Sequence, residues 1–97
     1  MHVLALRTLK LFWLRHPDAE QALRAWYHEA KACKWAKASD VKKRYPSVSV
    51  VSAERLVFNL CGNKYRLIAR VNFAGGTLFV RFVGTHAEYD KVEAEKV

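Results

Sequence analysis

Residues Arg55–Asp90 read RLVFNLCGNKYRLIARVNFAGGTLFVRFVGTHAEYD, and the alternation within this stretch decides the fold. Three runs of alternating apolar and polar residues predict three half-buried strands. In the first, Leu56, Phe58 and Leu60 oppose Arg55, Val57, Asn59 and Cys61. In the second, Tyr65, Leu67, Ala69, Val71 and Phe73 oppose Lys64, Arg66, Ile68, Arg70 and Asn72. In the third, Leu78, Val80 and Phe82 oppose Thr77, Phe79, Arg81 and Val83. A two-residue turn at Gly62-Asn63, residues that tolerate positive φ, sets Asn59 opposite Arg66 and Arg55 opposite Arg70. A second two-residue turn at Gly75-Gly76 sets Arg70 opposite Arg81 and Arg66 opposite Thr85. Both registers keep the apolar sets on one face, as a sheet buried on one side requires. The other face gathers Arg55, Asn59, Lys64, Arg66, Arg70 and Arg81. Like charges directly across strands cost about 0.2–1 kcal/mol per pair, so a sheet that carries several is expected to meet an anion.

The chain has 97 residues, net charge +8 and a pI near 9.8. That length supports one core, and a single domain over residues 1–97 is expected. The positive charge fits a polyanionic partner; the plain alternative is a surface charged only for solubility. Cys33 and Cys61 lie far apart in apolar surroundings, which suits free thiols in a reducing compartment. No apolar segment approaches the ~20 residues of a membrane span, and no secretory leader is apparent. A soluble, cytoplasmic protein is the expectation, with no membrane partner.

Met1–Leu6 is readable as an edge strand or as the lead-in to a helix. Leu6, Leu9, Trp13 and Leu14 then recur at helical spacing, and the helix must end at His16-Pro17. A second helix follows at once, with Pro17 in its first turn and Asp18 and Gln21 spaced as a capping box. Its apolar stripe is Ala19, Ala22, Leu23, Trp26, Ala30 and Cys33. The stripes account for Trp13 and Trp26 as packing residues, and Trp35 is read the same way, ahead of base stacking. Ser39 can cap a short helix, Asp40 to Tyr45, ending before Pro46. It carries Lys42, Lys43 and Arg44, a charge run that alone reads as a solvated face but beside a basic sheet extends a phosphate footprint. Ser47–Ser52 is a strand or an extended connection.

Metal-ligand spacings and phosphate-cradling glycine loops are both missing, so neither metal nor cofactor is expected. The segment Thr85–Asp90, leaving the third strand beside the basic face, holds His86, the best candidate acid or base near neutral pH. Tyr89, three residues on, falls on the same side of a helical turn. Glu88 and Asp90 read as orienting or capping groups.

The runs Phe58–Ala69 (FNLCGNKYRLIA) and Phe82–Asp90 (FVGTHAEYD), together with Met1-His2-Val3 and Lys43–Ser47, resemble the HigB toxins of bacterial type II toxin–antitoxin pairs. The resemblance spans nearly the whole chain. It implies an α+β, RelE/ParE-like fold: a small antiparallel sheet packed against two N-terminal helices, with a short C-terminal helix. It further implies a metal-independent mRNA endonuclease, acting on the ribosome and held in check by a small cognate antitoxin with a helix-turn-helix. Carried across by position, Arg66 would hold the scissile phosphate. Arg81, His86 and Tyr89 would supply the remaining charge stabilisation and proton transfer. Lys64 and Asn59 would support them, and Arg55, Arg70, Lys42, Lys43 and Arg44 would bind the RNA backbone. Two other readings stay open: a ParE-like topoisomerase inhibitor, and a non-catalytic RNA- or DNA-binding module.

Overall fold

A computed structural model describes residues 1–97 as one layer of helices on one face of a sheet. Strand β1 (His2–Leu4) leads into α1 (Leu6–Arg15), a 3-10 turn (Pro17–Ala19), α2 (Glu20–Ala32) and α3 (Ala38–Arg44). Strands β2 (Ser49–Val50), β3 (Arg55–Leu60), β4 (Tyr65–Asn72) and β5 (Thr77–Thr85) follow, and α4 (His86–Tyr89) leaves β5 directly. The five strands are ordered β1-β5-β4-β3-β2. All pairs are antiparallel except β1 with β5, which is parallel. The sheet is therefore mixed, not wholly antiparallel. The reason is topological: β1 opens the chain, the helices and the meander intervene, and β5, the last strand, then runs alongside it in the same direction.

The helical stripes bury as their spacing dictates. Leu23, Trp26 and Ala30 of α2 and Leu9 and Trp13 of α1 enter a core that also takes Leu56, Phe58, Leu67, Ala69, Val71, Leu78 and Val80. Trp26 and Tyr45 both meet Phe58 edge-on, at ring centroids 5.3 Å apart, and Trp35 is buried as well. Burying side chains of this size contributes about 1.5–3 kcal/mol each. One expected contact of α1 differs: Phe12 is in the core, whereas Leu14 is 73% exposed. Phe12 earns its place against His16 (4.4 Å, stacked) and Tyr65 (5.2 Å, edge-on).

Asp18 does not cap α2. Its carboxylate accepts from Lys64 Nζ at 2.5 Å and from Tyr65 OH at 2.6 Å, tying the 3-10 turn to the β3–β4 hairpin. Those two bonds, Lys64 first, hold the Asp18 carboxyl below its ordinary range, and the same contact raises Lys64. A lowered carboxyl stabilises the fold above its unfolded value and loses that contribution as pH falls through the folded one. Unfolding midpoints of the wild type and Asp18→Asn should therefore differ at neutral pH and converge on acidification through the carboxylate range, about pH 4 and below. Likewise α3 starts at Ala38, after Lys37, with no contribution from Ser39. Asp40 accepts the Ala36 N–H at 3.0 Å instead.

The two hairpins part company on register. Between β3 and β4, Arg55 faces Arg70 and Asn59 faces Arg66, as a turn centred on Gly62-Asn63 dictates. Gly62 (φ 62) and Asn63 (φ 73) both occupy the left-handed region, and Lys64 N–H closes the turn on Cys61 O at 3.1 Å. Between β4 and β5 the loop has four residues, Phe73–Gly76, so that Asn72 faces Thr77 and Arg70 faces Phe79 rather than Arg81. A bulge then falls opposite the Ile68/Ala69 step, leaving Arg81 without a partner, and Arg66 faces Gly84 rather than Thr85. An inserted residue reverses the alternation beyond it. Phe82 accordingly lies on the outer face and Val83 is buried in the core, the reverse of simple parity.

Candidate functional site

The outer face of the sheet is built by the pairings just described. Arg55 and Asn59 stand on β3, Arg66 and Arg70 on β4 opposite them, and Phe79, Phe82 and Gly84 on β5. Val57 and Ile68 form a small buried apolar floor between the charged residues.

Three residues converge at one end of this face. Arg66 Nε–H donates to His86 Nε2 at 3.2 Å, and the Arg66 guanidinium stacks 4.8 Å over the Tyr89 ring. In this contact His86 Nε2 is the acceptor, the role of a ring nitrogen that bears a lone pair. The positions of His86 and Tyr89 follow from α4. Thr85 Oγ1 accepts the Glu88 N–H at 3.2 Å while Glu88 Oε1 accepts the Thr85 N–H at 2.9 Å, a complete capping box. The Thr85 backbone bond holds the Glu88 carboxyl below its ordinary range. This cap starts the helix immediately at the strand end, which turns residues 86 and 89 back over Arg66.

Gly84 is the residue that parity and motif reading passed over. A Cβ there would lie 2.6 Å from the Phe82 ring and 3.1 Å from Glu88 Oε1. Hydrogen at this position lets Phe82 cross β5 and lets the capping box close. Gly84→Ala should cost about 1–3 kcal/mol, measured by urea unfolding, and should lower activity through displacement of α4.

The remaining arginines divide into engaged and open groups. Arg70 Nε is 3.0 Å from Glu54 Oε2, and Arg44 Nη2 is 2.5 Å from Glu29 Oε2 on α2. Lys64 is held by Asp18. Arg44 thus belongs to the helical layer, and Val41 anchors the rest of α3 in the core. Lys42 and Lys43 remain exposed on α3. Neighbouring Tyr45 has its hydroxyl pushed well above the ordinary range by burial first and by Glu29 second. Arg81, on the bulge, stacks 5.0 Å over Phe79 rather than reaching Arg66. Arg55 Nη1 donates to Glu95 O at 2.6 Å, and Asn59 Nδ2 donates to Ser47 O at 3.0 Å. Arg55 Nε and Asn59 Oδ1 are buried with no partner in the chain, one donor and one acceptor on the face without an internal bond.

The geometry gathers Arg66, His86 and Tyr89 into contact with Asn59 facing Arg66 across the β3–β4 pair; Arg55 and Arg70 stand further along the same face, and Arg81 rests on Phe79. The same geometry turns Arg44 and Lys64 toward structural carboxylates. A cation beside a neutral imidazole and a phenol is an arrangement suited to holding a phosphodiester while a proton is moved.

Comparison with known proteins places these residues in context. The profile of the HigB toxins, described as the RelE-like toxic component of a toxin–antitoxin system, matches residues 19–92. The chain is 26% identical over 94 residues to the mRNA interferase HigB of Escherichia coli O6:H1, covering 95% of this chain and 91% of that protein. It is 29% identical over 92 residues to the mRNA interferase HigB of Shigella flexneri, covering 93% and 88%.

Proposed function

Because this chain belongs to the HigB family, the RelE-like toxic component of a toxin–antitoxin system, we propose that it cuts messenger RNA on the ribosome and thereby arrests translation and growth. The observation that carries this reading is the Arg66–His86–Tyr89 contact, 3.2 Å from guanidinium to imidazole and 4.8 Å from guanidinium to ring. The names of the relatives point the same way.

The reaction follows from the chemistry of these groups. A phosphodiester entering the face draws the Arg66 guanidinium onto its oxygens, since charge-assisted bonds to phosphate outweigh one to a neutral imidazole. That exchange frees His86 Nε2 to accept the proton of the ribose 2′-hydroxyl. The 2′-oxygen bonds to phosphorus and the bond to the 5′-oxygen breaks, leaving a 2′,3′-cyclic phosphate and a 5′-hydroxyl. Tyr89 supplies the proton to the departing oxygen. Arg66, with Arg81 when it swings from Phe79, stabilises the extra negative charge. Arg55, Asn59 and Arg70 hold the flanking backbone, and Lys42 and Lys43 extend the contact to the ribosomal surface. No helix is long and apolar enough to cross a membrane, and in this reading the toxin works where messages are translated, in the cytoplasm. The cognate antitoxin, a small helix-turn-helix protein in this reading, binds and silences the toxin.

A message carrying one 2′-deoxynucleotide at the cut position decides the matter. Cleavage should stop there and continue at unmodified sites, because the attacking group is gone. Cutting that ignores the substitution, or expression that damages DNA while messages stay intact, would remove the nuclease reading in favour of a ParE-like or purely binding role.

A further inference from the structure

A cavity of about 430 Å³ opens beside the candidate catalytic cluster, lined by Val51, Tyr89, Glu93, Ala94, Glu95 and Lys96. Its size falls within the range of small-molecule sites. Tyr89 belongs to both places: it borders the cavity and also lies beneath the Arg66 guanidinium. The far wall is a turn in which Lys96 and Val97 N–H groups both donate to Glu93 O, at 2.9 and 3.0 Å. That wall is pinned to the sheet by Arg55, whose guanidinium holds Glu95 O at 2.6 Å.

The lining distinguishes between parts of a nucleotide. Val51, Ala94 and the Tyr89 ring offer apolar and aromatic surface, which favours a planar base. Glu93 and Glu95 are acceptor-only when ionised, and Lys96 is already paired with Glu93 at 3.0 Å. A phosphate would be repelled from such a lining, whereas the arginines that suit it stand on the sheet face. We infer that this cavity receives the base adjoining the scissile phosphate and prefers bases with an exocyclic amino donor on an exposed edge (adenine, cytosine, guanine) over uracil, which has none. Arg55 acts as a positioning residue here, because it holds the turn that forms the wall. The inference rests on the RNA-cleaving reading of the Arg66 site.

Mapping of 5′ ends in cells expressing the toxin tests it. Wild-type cuts should disfavour uracil at one flanking position by about tenfold, the scale of a good base-edge contact. Val51→Trp, which fills the cavity, and the Glu93→Gln/Glu95→Gln double variant should flatten that position while preferences elsewhere persist. An unchanged profile in both variants overturns the pocket and leaves the nuclease reading intact. In parallel, binding of 2′-O-methyl oligonucleotides differing at one base is measured on His86→Ala protein. Discrimination lost in the Val51→Trp background supports the pocket even where no cleavage is seen, and equal binding of all four bases by both proteins rejects it.

Discussion

Arg66→Ala is expected to abolish growth arrest and to slow message cleavage by about 10²–10³-fold, the loss seen when one preorganised donor to a transition-state oxyanion is removed. The effect should be large because Arg66 serves two purposes. In the proposed mechanism it supplies the charge nearest the reacting phosphate, and until substrate arrives it holds the imidazole in place through the 3.2 Å bond to His86 Nε2. Its stem leaves the turn-proximal end of β4 (Tyr65–Asn72), where the following Leu67 and Ile68 are fully buried, so the backbone beside it is held on both faces. The variant should remain folded, since the side chain itself is only half-buried and makes no bond into the core. Thermal unfolding and in-cell cleavage of a reporter message separate the two outcomes. Arg66→Lys should recover little: an ammonium has neither the planar fork for phosphate oxygens nor an Nε–H aimed at the imidazole. Full toxicity in either variant would place the chemistry elsewhere. Arg81→Ala should be milder, because that guanidinium rests on Phe79 and must move to reach the phosphate.

The contrast between Arg66 and Arg81 also shows how far the fold could be read from residues alone. The β3–β4 register was legible because Gly62-Asn63 fits one turn geometry, and once it is set Arg55 must face Arg70. The β4–β5 register was not. TLFVRFVGT has large apolar residues on both faces, so alternation carries no mark of the bulge that leaves Arg81 unpaired. Phe79 lies on the outer face as period two assigns it, whereas Phe82 reaches that face only through the bulge, which period-two reading cannot anticipate. The capping box at Thr85 and Glu88 did have a visible signal, the T-x-x-E spacing. Read as a helical turn with Glu88 as a capping group, the segment is already expected to set His86 and Tyr89 on one side, and α4 does so. Asp18 illustrates the opposite error: a residue with good capping chemistry was claimed by Lys64 and Tyr65, 46 and 47 positions away in sequence. Charge pairing of that kind thins the basic footprint read from the sequence, and nothing local announces it. The register alone set His86 next to the position opposite Arg66, and family likeness added the roles that the two side chains would play.

His86→Ala and Tyr89→Phe are expected to lower cleavage by about 10²–10⁴-fold each, the usual span for removing one general acid or base, and one substrate should tell them apart. An RNA in which sulfur replaces the departing 5′-oxygen needs no proton on its leaving group. If Tyr89 donates that proton, Tyr89→Phe should cut the sulfur-bridged RNA nearly as fast as the wild type does. His86→Ala should stay slow on it, since the 2′-hydroxyl still has to lose its proton. The proposed assignment rests on one contact: His86 Nε2 is the acceptor of the Arg66 bond, the side of the ring that would take a proton. Tyr89 carries a phenol O–H and offers its ring to the same guanidinium. Rescue of His86→Ala instead of Tyr89→Phe would exchange the two roles without disturbing the site. Rescue of neither, with both variants folded, would leave Arg66 and the binding face as the whole of the catalyst.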